Sequence, residues 1–175
     1  MRLIASPFSG KQEKKIANVV AKVENGLGRW VRGQLILSLI VGVLTYIGLT
    51  ILGIPFALPL ALIAGIFEII PIIGPIIASI PAILVGLTIA PFLGLAVASL
   101  FLIIQQLENN LIVPMVMSKV IGLQPPVVIV ALLIGVKLAG IGGAFLAVPI
   151  LVVVKIVVKE FMAQDQELED GLVEQ

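Results

Sequence analysis

The sequence predicts an all-α membrane protein with about six membrane-embedded helical segments, formed as two inverted units. Hydrophobic residues make up 60% of the 175 residues, charged residues only 12%, and the mean hydropathy is +1.24. Soluble domains contain roughly 45–50% apolar residues, so a soluble chain of this size could not bury so much apolar surface. Charges gather at the two ends, around an apolar stretch from about 33 to 158.

The charge distribution divides the chain into three predicted parts. These are a basic segment (1–32), a transmembrane domain (33–160) and an acidic, disordered tail (161–175). Lys and Arg near the ends of spans stay in the cytoplasm. The basic lead-in, together with Lys155 and Lys159 at the end of the apolar stretch, therefore predicts cytoplasmic termini and a multi-pass protein of a plasma membrane. The basic residues are too dispersed for nucleic-acid binding.

Residues 11–32 read as an amphipathic helix, because Ile16, Val19, Val20 and Val23 recur at helical spacing opposite lysines. Two interpretations stay open. The helix runs along the membrane surface into the bilayer, or it is a cytoplasmic extension of the first span.

The first span, Gly33 to Ile54, carries no charge and is closed by Pro55; a crossing needs ~20 residues for ~30 Å of hydrocarbon. Two shorter apolar pieces follow, Phe56 to Ile70 and Pro75 to Ala90. At 1.5 Å per residue neither reaches ~30 Å. They form either two thin spans or a re-entrant hairpin. The break between them contains Pro71, Gly74 and Pro75.

The next helix, predicted from Pro91 to Met115, ends in the polar run QQLENN, followed by Pro114. Gln105, Glu108 and Asn109 lie at i, i+3 and i+4 and share one face, while Gln106 and Asn110 form an adjoining strip. Amide and carboxyl groups facing lipid would lack hydrogen bonds, which is costly. The run is either part of a path for a hydroxyl-rich or hydrated solute, or a structural contact between helices near an interface.

A second hairpin is predicted from Val127 to Val158, with its hinge at Gly140, Gly142 and Gly143. A shift of 69 residues brings the two broken regions into register and places Gly74 on Gly143. Each unit would then be one long helix and one broken hairpin. Because such a unit crosses the membrane an odd number of times, the second copy is inverted.

The same shift places Glu68 on Lys137, and apart from Lys155 near the end of the second hairpin these are the only charges in the two hairpins. A charge at the centre of a membrane helix costs about 2.5–3.5 kcal/mol on insertion scales, so both should face protein or water. They either meet where the hairpin tips converge or reach separate interfaces.

Several chemistries are excluded by composition. The chain has no Cys and no His, which removes disulfides, imidazole catalysis and the usual zinc sites. No phosphate-binding loop occurs, and the membrane carboxylates lack a visible nucleophile or metal partner. We expect neither an enzyme nor a bound cofactor or metal, although H⁺ or Na⁺ could be a coupling ion.

Two motifs carry a resemblance to a known family: E-x-I-P-x-I-G-P from Glu68 and Q-x-E-N-N-x-I-V-P ending at Pro114. With the apolar helices around them, over roughly residues 10–162, the chain closely resembles the autoinducer-2 exporter family of bacterial membrane proteins. The resemblance implies an all-helical permease of the bacterial inner membrane, and a homo-oligomer. Some members export autoinducer-2, a small hydroxylated quorum-sensing signal, and others look like sodium/proton antiporters. Members usually have two further N-terminal spans and a soluble segment.

We therefore expect a secondary transporter in the lipid bilayer that exports a small polar solute resembling autoinducer-2. The alternatives are a sodium/proton antiporter and a non-transporting, truncated scaffold. The predicted route is lined by Glu68, Pro71, Gly74, Pro75, Gln105, Gln106, Glu108, Asn109, Asn110 and Lys137, with bends at Pro114, Gly140, Gly142 and Gly143.

Overall fold

The computed structural model describes residues 10–117 and 125–173, with side chains from 16 to 116 and from 126 to 160. The regular structure in these ranges is helical, in the order α1 (Gly10–Ile51), α2 (Ala57–Phe67), α3 (Ile73–Ile89), α4 (Pro91–Leu107), a π-helix (Glu108–Ile112), α5 (Val113–Met117) and α6 (Pro125–Val173). Three stretches are long and apolar enough to cross a membrane, namely Ile16–Ile51, Pro91–Val116 and Pro126–Glu160. The shorter α2 and α3 are also apolar. The predicted all-α membrane class is confirmed.

Helix α1 runs without interruption through residue 32, where the sequence predicts the start of the transmembrane domain. It ends in a glycine cap rather than at Pro55. The Ile54 amide donates to the Leu49 carbonyl and the Gly53 amide to that of Thr50, each at 3.0 Å. Gly53 has φ 68°, the left-handed conformation that terminates many helices and that glycine adopts without strain.

The predicted break in the first hairpin is confirmed between α2 and α3. Pro71 disfavours helical geometry in the residue before it, and Ile72 has φ 70°, which a β-branched residue rarely adopts. A Cβ atom on Gly74 would overlap the carbonyl oxygen of Phe67. Residues seven apart in a continuous helix are separated by about 10 Å. The chain therefore reverses here, and only glycine fits at residue 74.

Helices α3 and α4 form an antiparallel pair joined at Ala90, whose backbone is extended (φ −161°, ψ 146°). Pro91 opens α4, the helical position that tolerates proline best. A Cβ atom on Gly86 would lie 3.1 Å from the Cα atom of Gly94, so the two backbones approach closely, as small residues permit in membrane helices.

The chain divides into two compact units, residues 30–122 and residues 1–29 with 123–175. The core of the first unit joins side chains from four helices, including Leu49 of α1, Ala64 of α2, Ala82 of α3 and Val97 of α4. Many large apolar side chains outside this core are exposed. In a bilayer these side chains contact lipid, so their exposure is not costly.

The other unit contains the start of α1 and all of α6. Helix α6 is broken at Ala139 and Gly140, where Gly140 has φ 58° and ψ −137°, within the predicted hinge. A Cβ atom on Gly143 would overlap the carbonyl oxygen of Gly135, so the chain reverses here too. Beyond this hairpin α6 is helical to Val173, through most of the segment predicted to be a disordered tail. Helix-forming Glu, Gln, Ala and Leu are frequent there.

Candidate functional site

Glu68 lies at the end of α2, where the first hairpin breaks, and its side chain is 0% exposed. Neither carboxylate oxygen has a hydrogen-bond partner among the described residues. A buried carboxylate without donors or a cation is unusual, because its desolvation is uncompensated. The group therefore needs an explanation other than packing.

Glu108 carries a second buried carboxyl group near Glu68. It is 3% exposed, and its carboxyl group is close enough to that of Glu68 for the two to interact electrostatically. An ionised carboxylate only accepts hydrogen bonds, whereas a protonated one also donates. A hydrogen bond between Glu68 and Glu108 therefore requires one proton on the pair. The arrangement can hold a proton or, when both are ionised, attract a cation.

The π-helix Glu108–Ile112 begins at the second carboxylate. Single turns of π-helix are rare and occur often at functional sites. The regular α-helical spacing predicted through QQLENN does not include this turn. The structure keeps Gln105 beside Glu108, with Gln105 Nε2 donating to Glu108 Oε2 at 3.3 Å. Asn109, expected on the same face, is exposed.

Two amides position the carboxylate pair in different ways. Gln105 contacts a charge-bearing oxygen, whereas Gln34 Nε2 donates to the backbone carbonyl oxygen of Glu68 at 2.5 Å. Gln34 is 4% exposed and lies on α1. It therefore links α1 to the break between α2 and α3.

The other predicted site residues differ in their burial. Gln106, Asn110 and Pro114 are exposed, while Pro71 is half-buried and Gly74 and Pro75 are buried at the first break. Lys137, Gly140 and Gly142 are exposed and Gly143 is buried in the other unit. A pairing of Glu68 with Lys137 stays a prediction.

Gln34, Ser38 and Thr45 are polar residues of the first span that the predicted site does not include. These three polar residues lie at i, i+4 and i+11 of one helix, so they share a face. The hydroxyl oxygens of Ser38 and Thr45 are buried and have no hydrogen-bond partner among the described residues. The helical spacing of polar residues within an apolar span was the signal that could have identified them.

A groove of about 420 Å³ between α1 and α2 has a different character. Its walls are almost wholly apolar and include Leu39, Val43, Leu62 and Ile66. Pockets that bind polar ligands need a few placed polar groups to orient them, so this groove suits hydrocarbon. Among the described residues no cluster of three or more acidic, His or Cys side chains could hold a metal ion.

Comparison with known proteins assigns the chain to a family. A model described as AI-2E family transporter matches residues 1–163. The chain is 38% identical over 145 residues to "Putative transport protein YrrI" of Bacillus subtilis, an alignment covering 83% of this chain and 41% of that protein. It is 33% identical over 132 residues to "Putative transport protein YhhT" of Escherichia coli, covering 75% of this chain and 38% of that protein.

The chain thus spans less than half the length of these relatives, while most of it aligns with them. Both motifs identified in the sequence, and both carboxylates of the buried pair, lie within the matched residues. The chain belongs to the AI-2E transporter family.

Proposed function

We propose that this protein is a secondary transporter that exports a small polar solute resembling autoinducer-2, coupled to H⁺ or Na⁺ through Glu68 and Glu108. The observation that carries the proposal is a pair of buried, electrostatically interacting carboxyl groups, one of which lacks any donor among the described residues. Ionisable groups inside membrane proteins are costly and commonly mark ion or proton paths. Gain and loss of one proton by such a pair changes its charge at the hairpin break.

The polar strip beside the pair supports a hydroxylated solute. Gln106, Asn109 and Asn110 are exposed on the helical segment that carries Glu108. Amides donate and accept hydrogen bonds, as hydroxyl groups do. A small solute with several hydroxyl or carbonyl groups can therefore bind without a fixed protein charge. The relatives are named as transport proteins, which agrees with this function.

The two hairpins support the inverted repeat on which alternating access would depend. Gly74 and Gly143, matched by the shift, are both buried where the backbone reverses, and both leave no room for a Cβ atom. The matched Ala78 and Ala147 are also both buried. Broken helices related by such a repeat occur at the binding sites of secondary transporters. We propose that the hairpins move against the long helices, in a homo-oligomer of the bacterial inner membrane with cytoplasmic termini.

A sodium/proton antiporter is the second candidate, and the same carboxylate pair favours it. In this case the cation is the cargo, and it exchanges with the proton on Glu68 and Glu108. The two functions differ in whether H⁺ moves without an organic solute.

The test is flux in vesicles reconstituted with the protein, followed by a pH-sensitive dye. We compare wild type with Glu68→Gln and Glu108→Gln, and use Glu24→Gln as the control because Glu24 is exposed. The proposal expects solute-dependent proton movement in wild type and in the control, and its loss in both pair variants. Sodium-dependent proton movement without solute would favour the antiporter. Equal behaviour of all four proteins, or no flux in any, would refute the assignment and favour a scaffold.

A further inference from the structure

The serine and threonine hydroxyl groups in the described helices fall into two classes. Four of them donate to a carbonyl of their own helix three or four residues earlier: Thr50 to Tyr46, Ser79 to Ile76 and Thr88 to Val85, each at 2.7 Å, and Ser99 to Leu95 at 2.9 Å. Ser and Thr hydroxyl groups in a membrane helix commonly form this hydrogen bond. Ser38 and Thr45 do not use this bond, and their oxygens are buried.

The two unpaired hydroxyls lie on the stretch of α1 between Gln34 and Gly48. Gln34, one turn before Ser38, holds the backbone of Glu68. Gly48, one turn after Thr45, packs directly against Leu100 of α4, the helix that leads to Glu108. Ser38 and Thr45 therefore lie between the carboxylate end and the α1–α4 contact, on the helix face that Gln34 also occupies.

We propose that Ser38 and Thr45 bind water molecules that extend from the Glu68–Glu108 pair along α1 and form the path by which protons reach it. This inference rests on the proposed ion-coupled function and names the route to its site. Thr45 is 0% exposed, so its hydroxyl would remain unsatisfied in a dry helix contact. A buried water typically makes about three hydrogen bonds to groups that otherwise lack partners. The unpaired oxygens of Ser38, Thr45 and Glu68 are such groups.

The apolar groove between α1 and α2 does not explain these hydroxyls. Ser38 borders it, yet its oxygen is buried and the walls present hydrocarbon. Thr45 does not line it. A lipid chain in the groove would leave both hydroxyls unpaired, whereas water along α1 satisfies them.

Cysteine labelling tests the presence of water directly, because the natural chain contains no cysteine. Ser38→Cys, Thr45→Cys and Ser99→Cys are made in the full chain, reconstituted in vesicles and treated with a small water-soluble thiol reagent. Thiols react as thiolates, which form only where water reaches them. Ser99 is the matched control, since it is exposed on an apolar helix and bonded to its own backbone. We expect labelling at least ~10-fold faster at residues 38 and 45 than at 99, given the dependence of the reaction on thiolate.

Removal of the hydroxyl tests the role of that water. Thr45→Val keeps the shape of the side chain, and Thr45→Ser restores the hydroxyl; Thr50→Val is the control. We expect Thr45→Val to slow proton movement several-fold, Thr45→Ser to recover it and Thr50→Val to match wild type, as loss of a single placed group predicts. Labelling at 38 and 45 no faster than at 99, or unchanged proton movement in Thr45→Val, overturns the inference. Labelling does not depend on transport. It therefore still tests for water at these residues if the proposed function proves wrong.

Discussion

Both hairpins reverse at a glycine that packs against a backbone carbonyl, but they differ in whether their charged side chain is buried. In the first, Gly74 lies against the Phe67 carbonyl, and in the second Gly143 lies against that of Gly135. The first hairpin buries Glu68 completely beside another carboxylate, whereas the second leaves Lys137 exposed. A reversal within apolar sequence thus needs a glycine but no buried charge. The buried acid is an addition to the turn and points to function.

The largest expected effect comes from adding a Cβ atom at the glycine where each hairpin reverses. Gly74→Ala and Gly143→Ala each place a Cβ atom on a backbone oxygen, which the hairpin can relieve only by moving one arm. We expect a loss of about 3 kcal/mol or more, the range of severe steric mutations. The measurement is thermal unfolding in detergent.

Gly142→Ala is the matched control for Gly143→Ala, because a Cβ atom there meets nothing within 4 Å. It should unfold within a few degrees of wild type. If Gly143→Ala and Gly142→Ala unfold alike, the close approach at the second reversal is wrong.

The next prediction separates the two hairpin charges. Glu68→Gln supplies an amide donor to the carboxylate of Glu108, so we expect the unfolding free energy to rise by about 1 kcal/mol, the usual net value of one hydrogen bond. Lys137→Gln, at the exposed position, should change it little. Thermal unfolding of both variants in the same detergent measures the difference. A destabilised Glu68→Gln protein would mean that the acid is structural, contrary to the comparison.

Gln34 provides the third test, because its side chain on α1 donates a hydrogen bond to the Glu68 carbonyl at the break of the first hairpin. Gln34→Leu keeps the volume but leaves the buried Glu68 carbonyl without this donor, which costs about 1–3 kcal/mol. Gln106→Leu is the control because Gln106 is exposed. Unfolding of Gln34→Leu at the wild-type temperature would show that the bond contributes nothing.

The features that could be read from the sequence are those set by local chemistry. Pro71 and Gly74 locate the first break, Gly140 locates the second, and Pro91 marks the start of α4. The observed helix ends differ from the predicted ones by a few residues, because caps such as Gly53 end a helix before the proline that was expected to end it.

The candidate site could be read only in part, because its geometry depends on contacts distant in sequence. Glu68 and Glu108 were both predicted as site residues, and the repeat shift indicates Lys137 as a partner of Glu68, which stays a prediction. Helix packing also places Glu108 near Glu68, and the sequence pattern does not indicate this proximity. The π-helix and the bond from Gln34 likewise arise from tertiary contacts, which residue spacing alone does not encode.

The smallest expected effect concerns the unit that contains the second hairpin. There Lys22 of α1 pairs with Glu160 of α6 at 2.5 Å, and the two side chains are 55% and 36% exposed. Exposed ion pairs contribute about 0–1 kcal/mol and weaken with salt, unlike the buried bond of Gln34. A double-mutant cycle with Lys22→Ala and Glu160→Ala should give a coupling energy below about 1 kcal/mol that shrinks at high salt. A larger, salt-independent coupling would mean that this ion pair is shielded from water in the assembled protein. The contrast between the buried Gln34–Glu68 hydrogen bond in one unit and the exposed Lys22–Glu160 ion pair in the other would then no longer hold.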